Sequence, residues 1–183
     1  MGPCSTDRLP LSDSPTKDMN HLKNVLFVEI FAGSGRLTAA VKRAGMSVLP
    51  PDEAAMGGTD FLSASSVDEL MDWVKWKIKE KYRLEKEHFD ETGEVIIVVF
   101  HIVPPCSTFS KARDRSWRTR VRSRLNPSGF RPRSLEVRQA NVIARRAITL
   151  ARKAVQELDA IVTMENPDRN YIWQYGTRGF GSP

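Results

Sequence analysis

The run Val95-Ile96-Ile97-Val98-Val99-Phe100 is unbroken apolar sequence, and it is soon followed by Pro104-Pro105-Cys106-Ser107-Thr108-Phe109-Ser110. Such a run is typical of a strand in a parallel sheet that is buried on both faces. The two prolines fix φ twice and stiffen the turn after the strand. The sequence therefore predicts a thiol, Cys106, at the carboxyl end of a central strand, where open α/β sheets bind ligands. On its own, the turn fits a buried structural cysteine equally well.

Strands alternate with helices along the rest of the chain. Apolar strands are predicted at 25–30, 46–49 and 160–164, and helical spacing is found at 37–44, at 66–78 and after Ser134. This alternation predicts a mostly parallel sheet in a Rossmann-like α/β fold. Residues 1–21 are rich in Ser, Pro and Asp without periodicity, and they are predicted to form a flexible tail.

The composition indicates an ordinary globular domain. The 183 residues are 40% hydrophobic and 27% charged, which is enough for one good core. No apolar run reaches membrane-spanning length and no segment resembles a secretory leader. With only two cysteines, Cys4 and Cys106, a disulfide framework is not expected, and we expect an intracellular protein without a membrane partner.

The basic residues are concentrated in one segment. Residues 111–133 contain nine Lys or Arg and one Asp, a net charge of +8, whereas the whole chain carries +6 and the remainder therefore −2. Such a patch fits a polyanionic partner, above all nucleic acid, and it fits a solvated arginine-rich loop equally well. The residues predicted to contact nucleic acid are Lys111, Arg113, Arg115, Arg118, Arg120, Arg122 and Arg124.

The first predicted strand leads into the glycine turn Phe31-Ala32-Gly33-Ser34-Gly35-Arg36-Leu37. Glycines allow a sharp turn close to a ligand, with free amides at the start of the next helix. A nicotinamide-binding fingerprint would have a third glycine where this chain has Thr38. Asp52 and Glu53 end the second strand, where a carboxylate commonly binds ribose hydroxyls, although a solvated loop acid is the alternative.

Three segments together resemble the cytosine-5 DNA methyltransferase family. Phe31-Ala32-Gly33-Ser34-Gly35, the Pro-Pro-Cys turn at 104–106 and Glu165-Asn166-Pro167 are similar to the family's motifs one, four and six, in the family's order. Ser107-Thr108 after the cysteine and the proline after Glu-Asn resemble divergent methyltransferase-like domains of some eukaryotic mobile elements. The resemblance implies the fold of a methyltransferase that depends on S-adenosyl-L-methionine, with DNA as partner and, in a eukaryote, a nuclear location.

The resemblance also implies roles for individual residues. The Cys106 thiolate would add to carbon 6 of cytosine, and Glu165 would protonate or hydrogen-bond ring nitrogen 3. The target base would have to leave the duplex to reach them. The residues expected to hold the cofactor are Phe31, Gly33, Gly35, Leu37, Asp52 or Glu53, Asp60 and Pro104. No metal is expected.

Part of the family pattern is not found. The later Gln-x-Arg-x-Arg element, the target-recognition region and the C-terminal Gly-Asn motif have no counterpart. We therefore expect residues 22–183 to form a partial catalytic domain whose sheet is incomplete at its C-terminal side. Three explanations stay open: a decayed copy without activity, a fragment of a polyprotein, or a protein completed by another domain or partner chain.

Three other functions remain as alternatives. Relatives that modify tRNA share the Pro-Pro-Cys and Glu-Asn signatures, so the same chemistry on RNA is a close alternative. A non-catalytic remnant that binds nucleic acid through the basic segment is the second. A nicotinamide-dependent enzyme is disfavoured by Thr38 and by a thiol without a redox partner.

Overall fold

The computed structural model of the chain describes residues 22–52, 57–111, 120–130, 134–166 and 170–178, and of residues 175–178 it describes the backbone. The predicted tail at 1–21 lies outside these ranges. Four residues with predicted cofactor or nucleic-acid contacts also lie outside these ranges, namely Glu53, Arg113, Arg115 and Arg118.

Four strands and five helices are formed by the described residues. In chain order they are β1 (Val25–Ile30), α1 (Arg36–Arg43), β2 (Ser47–Val48), α2 (Ser66–Leu84), α3 (Lys86–Thr92), β3 (Ile97–Ile102), α4 (Leu135–Leu158), β4 (Ile161–Met164) and α5 (Tyr171–Arg178). The short helices α3 and α5 are the elements that the sequence did not predict. Within the described ranges, no helix combines the length and the apolar composition that crossing a membrane requires.

The strands form one sheet in the order β2-β1-β3-β4, and every neighbouring pair is parallel. β1 pairs with β3 along its whole length, from Val25 opposite Ile97 to Ile30 opposite Ile102. Parallel neighbours need a crossover between them, and the helices provide it. The predicted α/β class with a parallel sheet is confirmed, and the sheet is compatible with a Rossmann-like fold.

One face of the sheet carries the main core. Alternate residues of β1 and β3 point to this face, where they pack with α2 and α4. The buried core residues are Leu26, Val28, Ile30, Val98, Phe100, Ile102, Leu70, Met71, Val74, Ala147, Leu150 and Ala154. α4 contributes Ala147 and Ala154 to this core, and these small side chains let the helix lie close against the strands.

The other face of β3 differs from the prediction. The strand is Ile97–Ile102 rather than 95–100, and it is not buried on both faces: Ile97 is exposed, whereas Val99 and His101 are half-buried. The reason is that α2 and α4 cover the opposite face, whereas α1 contacts β1 and β2. β4 is an edge strand of this four-stranded sheet, and Ile161 is 56% exposed.

α2 begins at Ser66, where the helical spacing predicted it, and Ser65 at its N-cap makes no side-chain capping bond. Ser66 is buried and lines the cavity described below. Trp73 packs against the core, whereas Trp76 is largely exposed.

Candidate active site

The strand order reverses between β1 and β3, since the chain continues from β1 to one side and from β3 to the other. In open α/β sheets the crevice outside the carboxyl ends of two such strands is where ligands bind. The glycine turn follows β1 and the Pro-Pro-Cys turn follows β3. Glu165 directly follows β4, the next strand along. The sheet therefore brings all three segments to one edge.

The glycine turn has an unusual backbone. Phe31, Gly33 and Gly35 have φ values of 60°, 55° and 64°, in the left-handed region that side chains normally avoid. A Cβ on Gly35 would lie 3.1 Å from Cγ of Pro51, so this position also needs a small residue for close contact. At Gly33 a Cβ would meet nothing within 4 Å among the described residues, so this part of the turn faces open space. A non-glycine residue held at positive φ is a feature that concentrates at ligand sites.

The first turn of α1 is less open to a ligand than the sequence suggested. Glu29 on β1 is buried, and its Oε2 accepts a hydrogen bond from the backbone N–H of Thr38 at 2.9 Å. The hydroxyl of Thr38 donates to the same oxygen. The expectation of free amides therefore fails at Thr38, because a carboxylate of the protein already occupies this helix N-terminus. Leu37 lies on the same turn and is exposed.

Asp52 is held by both its backbone and its side chain. Its backbone N–H donates to Glu29 and its carbonyl accepts from Ala32, so it lies beside the end of β1. Oδ1 accepts a hydrogen bond from the backbone N–H of Thr59 at 2.6 Å. Oδ2 is buried and has no hydrogen-bond partner within the described part of the chain. A buried carboxylate oxygen without a donor is costly to the fold.

A cavity of about 530 Å³ opens beside this carboxylate, within the size range of small-molecule sites. Its lining includes Asp52, Thr59, Asp60, Ser66 and Trp73. The hydroxyl oxygen of Ser66, like Oδ2 of Asp52, is buried without a described partner. Asp60 is exposed, and its Oδ1 accepts from the backbone N–H of Leu62, so it acts as a turn acid and also lines the cavity. The cavity wall thus contains two residues, Asp52 and Ser66, whose buried polar atoms have no described partner.

The Pro-Pro-Cys turn holds a free cysteine. Cys106 is half-buried, and its carbonyl accepts hydrogen bonds from the backbone N–H groups of Phe109 and Ser110 at 3.0 and 2.8 Å. Pro104 is buried and Pro105 is exposed. The turn is therefore compact, and the thiol is partly accessible.

Asn166 connects this turn to the end of β4. Its Nδ2 donates to the carbonyl oxygen of Pro104 at 3.0 Å, and the backbone N–H of Glu165 donates to Ile102 at the same distance. Nδ2 of Asn170 donates to Oδ1 of Asn166, which fixes the orientation of its amide. Two segments that are about 60 residues apart in sequence are thus joined by direct bonds. The carboxylate of Glu165 is 72% exposed, and its Oε2 lies 3.6 Å from Nε2 of His101.

Arg122 is placed differently from the prediction. It was expected to contact phosphates, but it is fully buried and its guanidinium binds three parts of the protein. Nε donates to the carbonyl of Thr108 at 3.0 Å, and Nη2 donates to the Thr108 hydroxyl at 2.9 Å. Nη1 donates to Pro127 O and to Oδ1 of Asn141, and the guanidinium carbon lies 3.7 Å from the centroid of the Phe109 ring. Because no part of it reaches solvent, we remove Arg122 from the predicted nucleic-acid interface.

The other described members of the basic segment are exposed. Lys111 lies 5.6 Å from the ring centroid of Tyr171, and Arg120 lies 5.5 Å from that of Phe130. Arg124 is exposed as well. Cationic groups next to aromatic rings on an accessible surface can contact phosphate and stack on bases.

Sequence reasoning missed the polar residues that support the cysteine turn, namely Thr108, Arg122, Asn141 and Asn170. One signal was present: Asn141 has helical spacing with Val137 and Ala144, so a polar side chain stands on the buried face of α4. A buried amide needs partners, and Arg122 Nη1 and the Ser128 carbonyl supply them.

The arrangement combines a partly accessible thiol, a carboxyl group on the adjacent strand end and a cavity with an unsatisfied carboxylate oxygen. A thiol and a carboxyl group at neighbouring strand ends suit nucleophilic attack with proton donation, and the cavity has the size for a small molecule. No protein-family model, no curated protein and no solved structure matches the chain.

Proposed function

We propose that this chain transfers a methyl group from S-adenosyl-L-methionine to carbon 5 of cytosine in DNA through a covalent bond to Cys106. The observation that carries the proposal is the hydrogen bond from Asn166 to the carbonyl of Pro104, at 3.0 Å. It joins the segment of Glu165 to the turn of Cys106, which are the two groups that this chemistry needs side by side.

Carbon 5 of cytosine is a poor nucleophile, so the Cys106 thiolate would first bond to carbon 6. Glu165 donates a proton to ring nitrogen 3, which takes up the electron pair displaced from the ring. Carbon 5 is then enamine-like and would take the methyl group as the methyl–sulfur bond of the cofactor breaks, which leaves S-adenosylhomocysteine. A water molecule would accept the proton on carbon 5, the double bond between carbons 5 and 6 would form again as the thiolate leaves, and nitrogen 3 would return its proton to Glu165.

The cavity residues fit the cofactor. S-adenosyl-L-methionine supplies an electrophilic methyl group and carries a ribose with two hydroxyls. Asp52 Oδ2, which is buried without a described donor, would accept from these hydroxyls, and Asp60 and Trp73 would line the rest of the nucleoside site. Phe31, Gly33 and Leu37 would face the cofactor from the glycine turn and the start of α1.

DNA binding is proposed from the exposed cations next to the cysteine turn. Lys111 follows this turn directly, and Arg120 and Arg124 are exposed in the next described segment. Phosphate contacts of this kind give affinity and position the duplex without reading its sequence.

Covalent trapping tests the reaction. A mixed-sequence duplex containing 5-fluorocytosine is incubated with the protein and S-adenosyl-L-methionine, because fluorine blocks the final proton loss and leaves the thiol bonded to the base. We expect a denaturation-resistant protein–DNA adduct that needs the cofactor and is lost in Cys106→Ser. Cys4→Ser is the matched control, since Cys4 and Cys106 are the two cysteines of the chain, and it should keep the adduct.

The outcomes separate the alternatives. An adduct on a 5-fluorocytosine RNA of the same sequences, with none on DNA, would move the proposal to RNA. A folded protein that forms no adduct on either nucleic acid would overturn the enzymatic proposal and leave a binding function.

A further inference from the structure

The imidazole of His101 is fixed on the open face of the sheet. Nδ1 lies 2.8 Å from the hydroxyl oxygen of Thr163, its register partner on β4. The ring stacks with that of Phe27 on β1, with centroids 6.4 Å apart and an interplanar angle of 21°. The side chain is only 15% exposed. A ring held on two sides in this way presents its remaining nitrogen, Nε2, in one direction.

That remaining nitrogen faces Glu165, with Nε2 and Oε2 3.6 Å apart. The number of available hydrogens limits the protonation states of His101 and Glu165. The Thr163 hydroxyl has one hydrogen, and it also lies 3.2 Å from the carbonyl of Phe100. If it donates to Phe100, Nδ1 must carry a hydrogen, and Nε2 then meets the carboxyl either as imidazolium or as an acceptor from a carboxylic acid. If it donates to Nδ1, the hydrogen of the ring is on Nε2.

At 3.6 Å the two atoms lie just beyond hydrogen-bond distance. The arrangements in which they attract each other carry a single proton, on Nε2 of His101 or on Oε2 of Glu165. A neutral ring with its lone pair toward an ionised carboxylate is the unfavourable case, because two acceptors would face each other. The contact is a diagonal one on this face of the sheet, because Glu165 is two residues after Thr163 and its backbone N–H continues the pairing to Ile102.

We propose that His101 is a positioning residue for Glu165, which holds the carboxyl group and supplies the proton that Glu165 donates to the base. The proposal rests on the methyltransferase function proposed above. The transfer starts from the imidazolium and the carboxylate. As the Cys106 thiolate bonds to carbon 6, the one proton of the pair passes from Nε2 of His101 to Oε2 of Glu165 and on to nitrogen 3, so His101 becomes neutral imidazole and Glu165 is again a carboxylate. When the thiolate leaves carbon 6, nitrogen 3 returns this proton through Oε2 to Nε2.

One other carboxylate lies beside the ring in the strand register. Glu29 on β1 is opposite His101 on β3. Its Oε2 accepts both hydrogen bonds from Thr38, so this oxygen is committed to the start of α1. Thr163, from β4, is uncharged. Glu165 is therefore the acid with which His101 exchanges a proton.

Two substitutions of His101 distinguish the positioning of Glu165 from the supply of a proton to it. In His101→Asn the amide can keep the bond to Thr163, but nothing reaches Glu165. In His101→Gln the longer amide can still donate a hydrogen bond to Glu165, yet it cannot give up a proton at neutral pH. Tritium release from carbon 5 of labelled cytosine gives kcat and KM for both. In both variants we expect kcat to fall by about tenfold or more while KM for DNA is unchanged. This loss is a modest part of the rate enhancement that general acid catalysis provides. His101→Gln with the kcat of the unaltered protein would overturn proton supply.

A double-mutant cycle excludes a merely structural role. In a Glu165→Gln background we expect His101→Asn to cause little further loss of kcat, because residues that act as a unit are not additive. The same fold loss in both backgrounds would overturn the proposal.

A spectroscopic measurement tests the contact without activity. The imidazole ¹⁵N signals of His101 are identified by their absence in His101→Asn and compared between the unaltered protein and Glu165→Gln. We expect the Nε2 signal to move, and an unchanged signal would overturn the proposal. If the unaltered protein forms no adduct with 5-fluorocytosine, the proposed function fails, whereas the ¹⁵N comparison still decides whether His101 and Glu165 share a proton.

Discussion

Arg122 donates to both the carbonyl and the hydroxyl of Thr108, two residues after Cys106 in the chain. An arginine from the basic segment thus holds the turn that carries the thiol. The same guanidinium binds Asn141 on α4 at 2.8 Å. The cysteine turn is therefore anchored to helix α4. Its shape depends on Arg122, which the charge pattern had predicted to contact nucleic acid.

Replacement of Arg122 should weaken the fold and the turn together. Arg122→Met leaves the carbonyls of Thr108 and Pro127 and the amide oxygen of Asn141 without their donor, and buried acceptors that lose donors are costly. We expect the free energy of unfolding in urea to fall by about 3 kcal/mol. The matched control is Arg124→Met, which changes an exposed arginine in the same segment and should cost less than about 0.5 kcal/mol. Equal stability of the two variants would contradict the anchoring role of Arg122.

Sequence reasoning reached the order of elements and the edge of the sheet where the site lies. Hydrophobic periodicity carries this information, because strands and helices differ in the spacing of their apolar residues. The ends of β1, β3 and β4 then bring Gly33, Cys106 and Glu165 to one side, as parallel strands must.

The burial of Arg122 could not be predicted in this way. A run of arginines is normally solvated. Two of the partners of Arg122, Thr108 and Asn141, are 14 and 19 residues away, and they are brought to it by a fold that periodicity does not determine. The open face of β3 was missed for a related reason. Its apolar residues fit burial on both faces, but helices α2 and α4 cover one face, so His101 remains half-buried beside Glu165.

Asp52 should contribute to cofactor affinity. Asp52→Asn can keep the bond to the Thr59 N–H through its amide oxygen, but it replaces the unsatisfied Oδ2 by a donor that ribose hydroxyls meet less favourably. Loss of a hydrogen bond to a charged group corresponds to a loss of affinity of about tenfold or more. Calorimetric titration with S-adenosylhomocysteine measures it, and Asp72→Asn on the exposed side of α2 is the control. Unchanged affinity in Asp52→Asn would remove Asp52 from the cofactor site.

The exposed cations after the cysteine turn should give salt-dependent DNA binding. Each phosphate contact adds about 0.9 to the slope of log K against log salt concentration. The combined variant Lys111→Ala, Arg120→Ala and Arg124→Ala should therefore reduce that slope by about 2 to 3, which fluorescence anisotropy on a mixed duplex would show. A variant with the same change of charge elsewhere, Lys79→Ala, Arg83→Ala and Lys86→Ala on α2 and α3, should reduce it far less. Equal reductions would show that the attraction is to net charge rather than to this surface.

Helices α2 and α4 are joined by ion pairs whose effect on stability depends on pH. Lys75 on α2 lies 2.6 Å from Glu157 on α4, and this bond lowers the pKa of Glu157 below its ordinary value of 4.5. A carboxyl whose pKa is lower in the folded state stabilises the fold above its unfolded pKa, and this contribution is lost as the pH falls through the folded pKa.

Glu157→Gln should accordingly lower the thermal unfolding midpoint at pH 7, where the glutamate of the unaltered protein is ionised and paired. The difference between the two proteins should shrink as the pH falls below about 4.5, because protonation removes the same ion pair from the unaltered protein. Since the pair lies at the surface, added salt should also reduce the difference at pH 7. Glu91→Gln, which changes an exposed glutamate of α3, is the control for removal of a negative charge. A difference between the Glu157 variant and the unaltered protein that stays constant down to pH 3 would contradict the assignment of this stability to the ionised carboxyl.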